Sequence, residues 1–195
     1  MLFLLALLLV VPLAAADYHQ SGDNHFFNLE YEEAIRDYTK LVEQQPDDPM
    51  AYNRLASAQL YQELYRLGLL ESSALRGDNQ FLRQNRPTPD PKAKERFEET
   101  LLKGRRVAES ILARDRRHQL ALYALGNNYA LRGNYEFMVD KAWFAALRNG
   151  SKARDYCEQL RKVNPDFIDA YLVLGVHEYV LGSLPLPVKI LAALG

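Results

Sequence analysis

The sequence predicts an all-α chain of stacked helical hairpins, and three observations carry that prediction. From Asp17 onward the apolar residues recur at intervals of three and four, the period of a helix with one buried face. Period-two alternation is absent and β-branched residues are sparse, so strands have no signal. A turn-and-helix segment also occurs twice. QQPDDPMAYNRLASAQL at 44–60 parallels VNPDFIDAYLVLGVHEY at 163–179, with Pro46 matched to Pro165 and Tyr52 to Tyr171 at equal separations.

The elements follow in order. A first helix carries Tyr18, His25, Phe26 and Leu29, with Ser21-Gly22-Asp23 weakening its start. A second carries the stripe Tyr31, Ala34, Ile35, Tyr38, Leu41 and Val42. Glu30, Glu32 and Glu33 lie where the helix dipole favours acids, and Pro46 stops the helix. A third starts at Asp47 or Asp48 with Pro49 in its first turn and extends to about Leu75. Pro87, Pro89 and Pro91 then alternate in a stretch that also holds Gly77 and Asp78. This predicts an extended insert loop over 76–91.

A long helix follows at 92–115, with Phe97, Leu101, Ala108, Ile111 and Leu112 inward and Gly104 as a cost. The next spans 119–131, and Gly133-Asn134 reads as a turn. An irregular extra helix is expected at 135–148, ended by Asn149-Gly150. Ser151 then caps a helix at 152–163. After the turn Asn164-Pro165-Asp166, a helix at 167–181 closes at Gly182.

The ends differ from the rest. Residues 1–16 join an apolar run to small residues at Ala14, Ala15 and Ala16, the pattern of a signal peptide cut after Ala16. The run is shorter than the about 20 residues a spanning helix needs. Export to the periplasm or the exterior is therefore expected, with an uncleaved N-terminal anchor as the alternative. At the other end, 183–195 reads as the start of a further apolar helix, with Val188, Ile190, Leu191 and Leu194, in a chain that would continue. The folded domain between them is placed at 17–182.

Composition narrows function. The net charge is −1, so no whole-chain field draws nucleic acid or an acidic membrane, and nucleic acid is not expected as a partner. Membrane contact is expected only through the N-terminal segment or the C-terminal apolar stretch. Cys157 is the single cysteine, in an apolar helical pattern that marks it as a small buried hydrophobe. His19, His25, His118 and His177 form no HExxH pair or Cys/His cluster, and there is no phosphate-cradling glycine loop and no GxSxG. No catalytic, cofactor or metal residues are therefore assigned, and the chain is not expected to be an enzyme. Lys103, Arg105, Arg106, Arg114, Arg116 and Arg117 are interrupted by Glu109 and Asp115 and read as a salt-laced outer face.

Leu122, Leu125, Gly126 and Tyr129, followed by Gly133 and Tyr135, resemble the first helix of the tetratricopeptide repeat, a helix–turn–helix unit of 34 residues. Tyr31, Ala34, Tyr38, Leu41 and Pro46 fit its second helix. Tyr52, Leu55 and Ala56 match again, as do Tyr171, Leu174, Gly175 and Gly182. The small Gly126 would let the paired helix approach while Tyr129 fills the space below. The closing stretch is also similar to exported tetratricopeptide-type proteins of unknown role from environmental bacteria.

The resemblance implies a helical-hairpin solenoid of about three and a half units. It also implies a concave face, lined by first helices, that receives peptides. In the family register Asn53, Ser57, Tyr61, Tyr123, Asn127, Leu172 and Val176 would look into that groove. Asn53 and Tyr123 stand where the chaperone-binding members want lysine, so a C-terminal carboxylate ligand is not expected. The function implied is a protein–protein interaction scaffold taking a peptide or helix of a partner. Two alternatives remain at this point. One is a structural or assembly module whose apolar C-terminus packs on a further domain or a membrane. The other is an accessory domain of an enzyme not contained in this chain.

Overall fold

The computed structural model describes residues 17–70 and 88–183, with side chains through residue 179. The signal reading at 1–16, the insert loop before Thr88 and the apolar residues 184–195 lie outside the described residues.

Seven α-helices and no strand occur among the described residues: α1 (Tyr18–Phe27), α2 (Tyr31–Gln44), α3 (Pro49–Arg66), α4 (Pro91–Arg114), α5 (Gln119–Tyr135), α6 (Trp143–Val163) and α7 (Ile168–Ser183). They pack as the hairpins α1–α2, α3–α4 and α5–α6, and α7 lies on α6 and α5. Neighbouring hairpins stack through α2–α3, α4–α5 and α3–α5. This is the all-α, tetratricopeptide-like solenoid the sequence predicts.

Local chemistry fixes the ends. The Asp17 carboxylate accepts from the N–H groups of His19 and Gln20. Asp48 caps α3 through Met50, and Asp90 caps α4 through Lys92, each with proline in the first turn. Helix α3 ends at Arg66 rather than near Leu75. Gly68 takes a left-handed φ of 67°, and the Leu69 N–H reaches back to the Leu64 carbonyl at 2.8 Å. Leu64 and Leu69 are both buried in one cluster, so the chain is turned by packing as well as by glycine.

The largest departure from expectation lies at 131–151. Gly133-Asn134 is not a turn and Asn149-Gly150 does not end a helix. Helix α5 runs to Tyr135, a π-helical turn occupies Glu136–Asp140, and α6 is continuous from Trp143 to Val163. The irregular element is thus the π turn and the short link after it, where Lys141 adopts a φ of 57°. The glycines serve contact instead. A Cβ on Gly133 would stand 3.2 Å from the Ala146 carbonyl oxygen of α6.

The same holds for Gly104, which the sequence marks only as a cost to α4. It is buried, and a Cβ there would meet the Tyr52 Cβ at 2.7 Å. Gly126 allows the Cys157 Sγ to within 2.7 Å of a would-be Cβ, as its small size suggests, and Gly22 seats the Tyr38 ring at 2.6 Å. Every described hairpin therefore closes on a glycine, which brings the helix axes together and buries more apolar area per turn.

Candidate functional site

Helices α3 and α5 lie side by side, as do α5 and α7, so the first helices of successive units form one row. The seven residues expected to line a groove on that row divide into four groups.

Asn53 is buried. Its amide donates to the Ala124 carbonyl at 2.8 Å, and its Oδ1 accepts from Asn128 Nδ2 at 3.1 Å. Asn128 Nδ2 also donates to the Leu101 carbonyl at 3.0 Å, while Arg105 donates to Asn128 Oδ1 at 3.3 Å. The Arg105 guanidinium lies 4.4 Å from the Tyr129 ring centre, and that ring stacks on Tyr156 at 5.8 Å. Asn53 thus ties α3 to α5. Arg105 turns inward from the basic stretch, unlike Lys103, which pairs with Glu99 on the outer face at 2.8 Å.

Tyr123 and Asn127 are brought together. Both are half-buried, and the Tyr123 ring packs on Phe167 at 5.2 Å. Burial, then the charges of Asp169 and Cys157, hold the Tyr123 phenol above its ordinary pKa. A hydrogen bond with Asn127 and the charge of Arg54 oppose that rise. Tyr123 is therefore a neutral hydrogen-bonding group at physiological pH.

Tyr61 and Ser57 are half-buried on α3. Tyr61 joins an aromatic group with Phe26 at 5.3 Å and Tyr31 at 6.3 Å, and Tyr65 lies 6.0 Å from Tyr31. Leu172 and Val176 stand on α7 at 71% and 54% exposure.

Arg54 was not singled out from the sequence. It follows Asn53 by one residue and comes within 3.7 Å of Asp23 on α1. Asp23 also accepts the Tyr38 hydroxyl at 2.6 Å. Its residue type is the local signal: an arginine is rarely fully buried, so one on this row keeps its charged head toward solvent. Asn53 itself could not be told from Asn127 by residue type.

Nothing in this arrangement presents an activated nucleophile. Cys157 is fully buried, and burial with the nearby Glu158 charge pushes its thiol up to about 11. Among the described residues no three His, Cys, Asp or Glu side chains are grouped to hold a metal ion. No described helix is long and apolar enough to cross a membrane.

A profile of the tetratricopeptide repeat family matches residues 19–74, which takes in α1 from its second residue, α2 and α3. No curated protein and no solved structure matches the chain.

Proposed function

We propose that the protein is an interaction scaffold, non-enzymatic in itself, that holds an extended segment or helix of a partner protein along the row formed by α1, α3, α5 and α7. The observation that carries this reading is the Tyr123–Asn127 pair on α5, with Leu172 and Val176 exposed on α7, the first helix packed next to it. A phenol and an amide can hydrogen-bond a peptide backbone, while the leucine and valine take apolar side chains. Arg54 and Ser57 extend the polar part toward α3, and Phe26, Tyr61 and Tyr65 supply an aromatic end. Asn53 drops out of the binding set, since its donors and acceptor are already used inside the protein.

The family match supports this reading by architecture, and the residue chemistry on the row supports it independently. The signal-like segment at 1–16 supports a search for the partner among exported or envelope proteins. Capture from an envelope extract tests the proposal. Wild-type protein is expected to retain a discrete partner that the Tyr123→Ala and Asn127→Ala variants lose at unchanged helicity. Equal recovery by all three proteins contradicts it.

A further inference from the structure

Tyr52 and Tyr171 occupy matched places in the repeated segments, and the match extends to atoms. The Tyr52 hydroxyl donates to the Pro46 carbonyl at 3.1 Å, and the Tyr171 hydroxyl donates to the Pro165 carbonyl at 3.0 Å. Their surroundings then part. Tyr52 is 9% exposed because α4 crosses it with Gly104 against its Cβ, whereas Tyr171 is 45% exposed.

The glycines separate in the same way. Gly22 and Gly126 each have a side chain of the following helix within 2.7 Å of a would-be Cβ, while Gly175, at the matching place on α7, has nothing of the described residues within 4 Å. Ile168, two turns before Gly175 on the same side of α7, is also exposed. This face has the shape of a first helix lacking its second. An apolar face of that kind, left in water, forfeits the burial that closes each earlier hairpin.

We propose that the chain's own residues 187–194, PVKILAAL, cover this face as a helix and close a fourth hairpin. Three features of the chain select this occupant over an outside one. The separation that carries Gly22 to Tyr38 carries Gly175 to Leu191, so a bulky apolar residue falls due at the empty seat. Val188, Leu191 and Leu194 share one side of a helix at spacing three, Lys189 falls on the opposite side, and Pro187 suits a first turn. The link from Ser183 is only 184–186, a length typical of helix–helix connections, and so short a tether makes pairing within the chain far more favourable than pairing between molecules. A second copy or an apolar surface of another molecule would compete for the face only if this segment did not hold it.

Hydrogen exchange of the full chain, read by mass spectrometry over 168–179, tests the proposal. Leu191→Asp is expected to speed exchange there by about tenfold or more, Leu191→Ser by less, and Lys189→Glu by no more than about twofold. Protection in α1 to α3 should hold in every variant, which separates local release of α7 from global unfolding. Wild-type exchange should not change with protein concentration or on adding phosphatidylglycerol vesicles. Equal exchange in wild type, Leu191→Asp and Leu191→Ser overturns the proposal. Wild-type protection that rises with protein concentration overturns it in favour of a second copy, and protection that rises with vesicles overturns it in favour of a lipid surface.

Discussion

The side-chain amide of Asn128 donates to Oδ1 of Asn53 at 3.1 Å, joining α5 to α3 in a buried contact between separate hairpins. Each polar atom of the pair is used: Asn53 Nδ2 on Ala124, Asn128 Nδ2 also on Leu101, and Asn128 Oδ1 on Arg105. A fully satisfied buried network specifies one packing, while a half-satisfied one is costly. Asn128→Leu strands Asn53 Oδ1 and is expected to cost about 2–3 kcal/mol. A double-mutant cycle with Asn53→Ala and Asn128→Ala, read by urea denaturation, should return a coupling of about 1 kcal/mol. Simple additivity would mean that the bond does not hold the two hairpins in register.

Gly126→Ala sets two effects against each other. Helix propensity favours alanine by about 1 kcal/mol. The new methyl would stand 2.7 Å from the Cys157 Sγ, on a side chain that is fully buried. Overpacking of this kind costs about 1–3 kcal/mol, so net destabilisation is expected. Cys157→Ala placed in the same chain should recover part of the loss, because it removes the sulfur. Recovery in the denaturation midpoint is the check.

Leu29 holds a left-handed φ of 65° at the end of α1, with its N–H on the Phe26 carbonyl and the Glu30 N–H on the His25 carbonyl. That closing pattern suits glycine, and leucine there bears strain of about 1–2 kcal/mol. Its side chain is exposed, so little packing is lost on removal. Leu29→Gly is expected to raise stability by about 0.5–1 kcal/mol, after the extra unfolded-state entropy of glycine is counted. A fall in thermal midpoint would contradict this.

Glu63 gives the fold an acid limit. It is buried, Arg66 grips it with two hydrogen bonds of 2.7 Å, and the Asp90 N–H donates to it at 3.0 Å. Burial pushes its pKa up, but the Arg66 bonds, the Asp90 N–H and the Arg66 charge outweigh it and hold the group below its ordinary value. A depressed folded pKa means stability that is present above the unfolded pKa and lost as pH falls through the folded one. Urea midpoints of wild type should therefore drop between about pH 5 and pH 3, and those of Glu63→Gln should drop less. Parallel curves would rule out this linkage.

The hairpin pattern was legible because it is written in local signals: three-and-four spacing, a proline in the turn, a cap before it. The glycines were not, because a glycine looks the same whether it turns the chain or admits another helix. Gly133 and Gly150 have the local look of punctuation yet lie within helices, while Lys141, with no turn signature, takes the left-handed conformation. Gly104 reads locally as a propensity loss, though a Cβ there would stand 2.7 Å from the Tyr52 Cβ of α3. The candidate site divides along the same line. Helix spacing brought Tyr123 and Asn127 to one place, since they are four residues apart on α5. Asn53 went inward because its partners lie on helices far off in sequence, which no local pattern encodes.

The claim that the row of first helices binds a partner segment is tested most directly by titrating a captured partner peptide into wild-type protein and into Leu172→Lys and Val176→Lys. Both side chains are exposed, so neither change should lower stability by more than about 0.5 kcal/mol. The expected result is an affinity reduced about tenfold or more in each variant, with circular dichroism unchanged. Wild-type affinity in both variants would contradict the account.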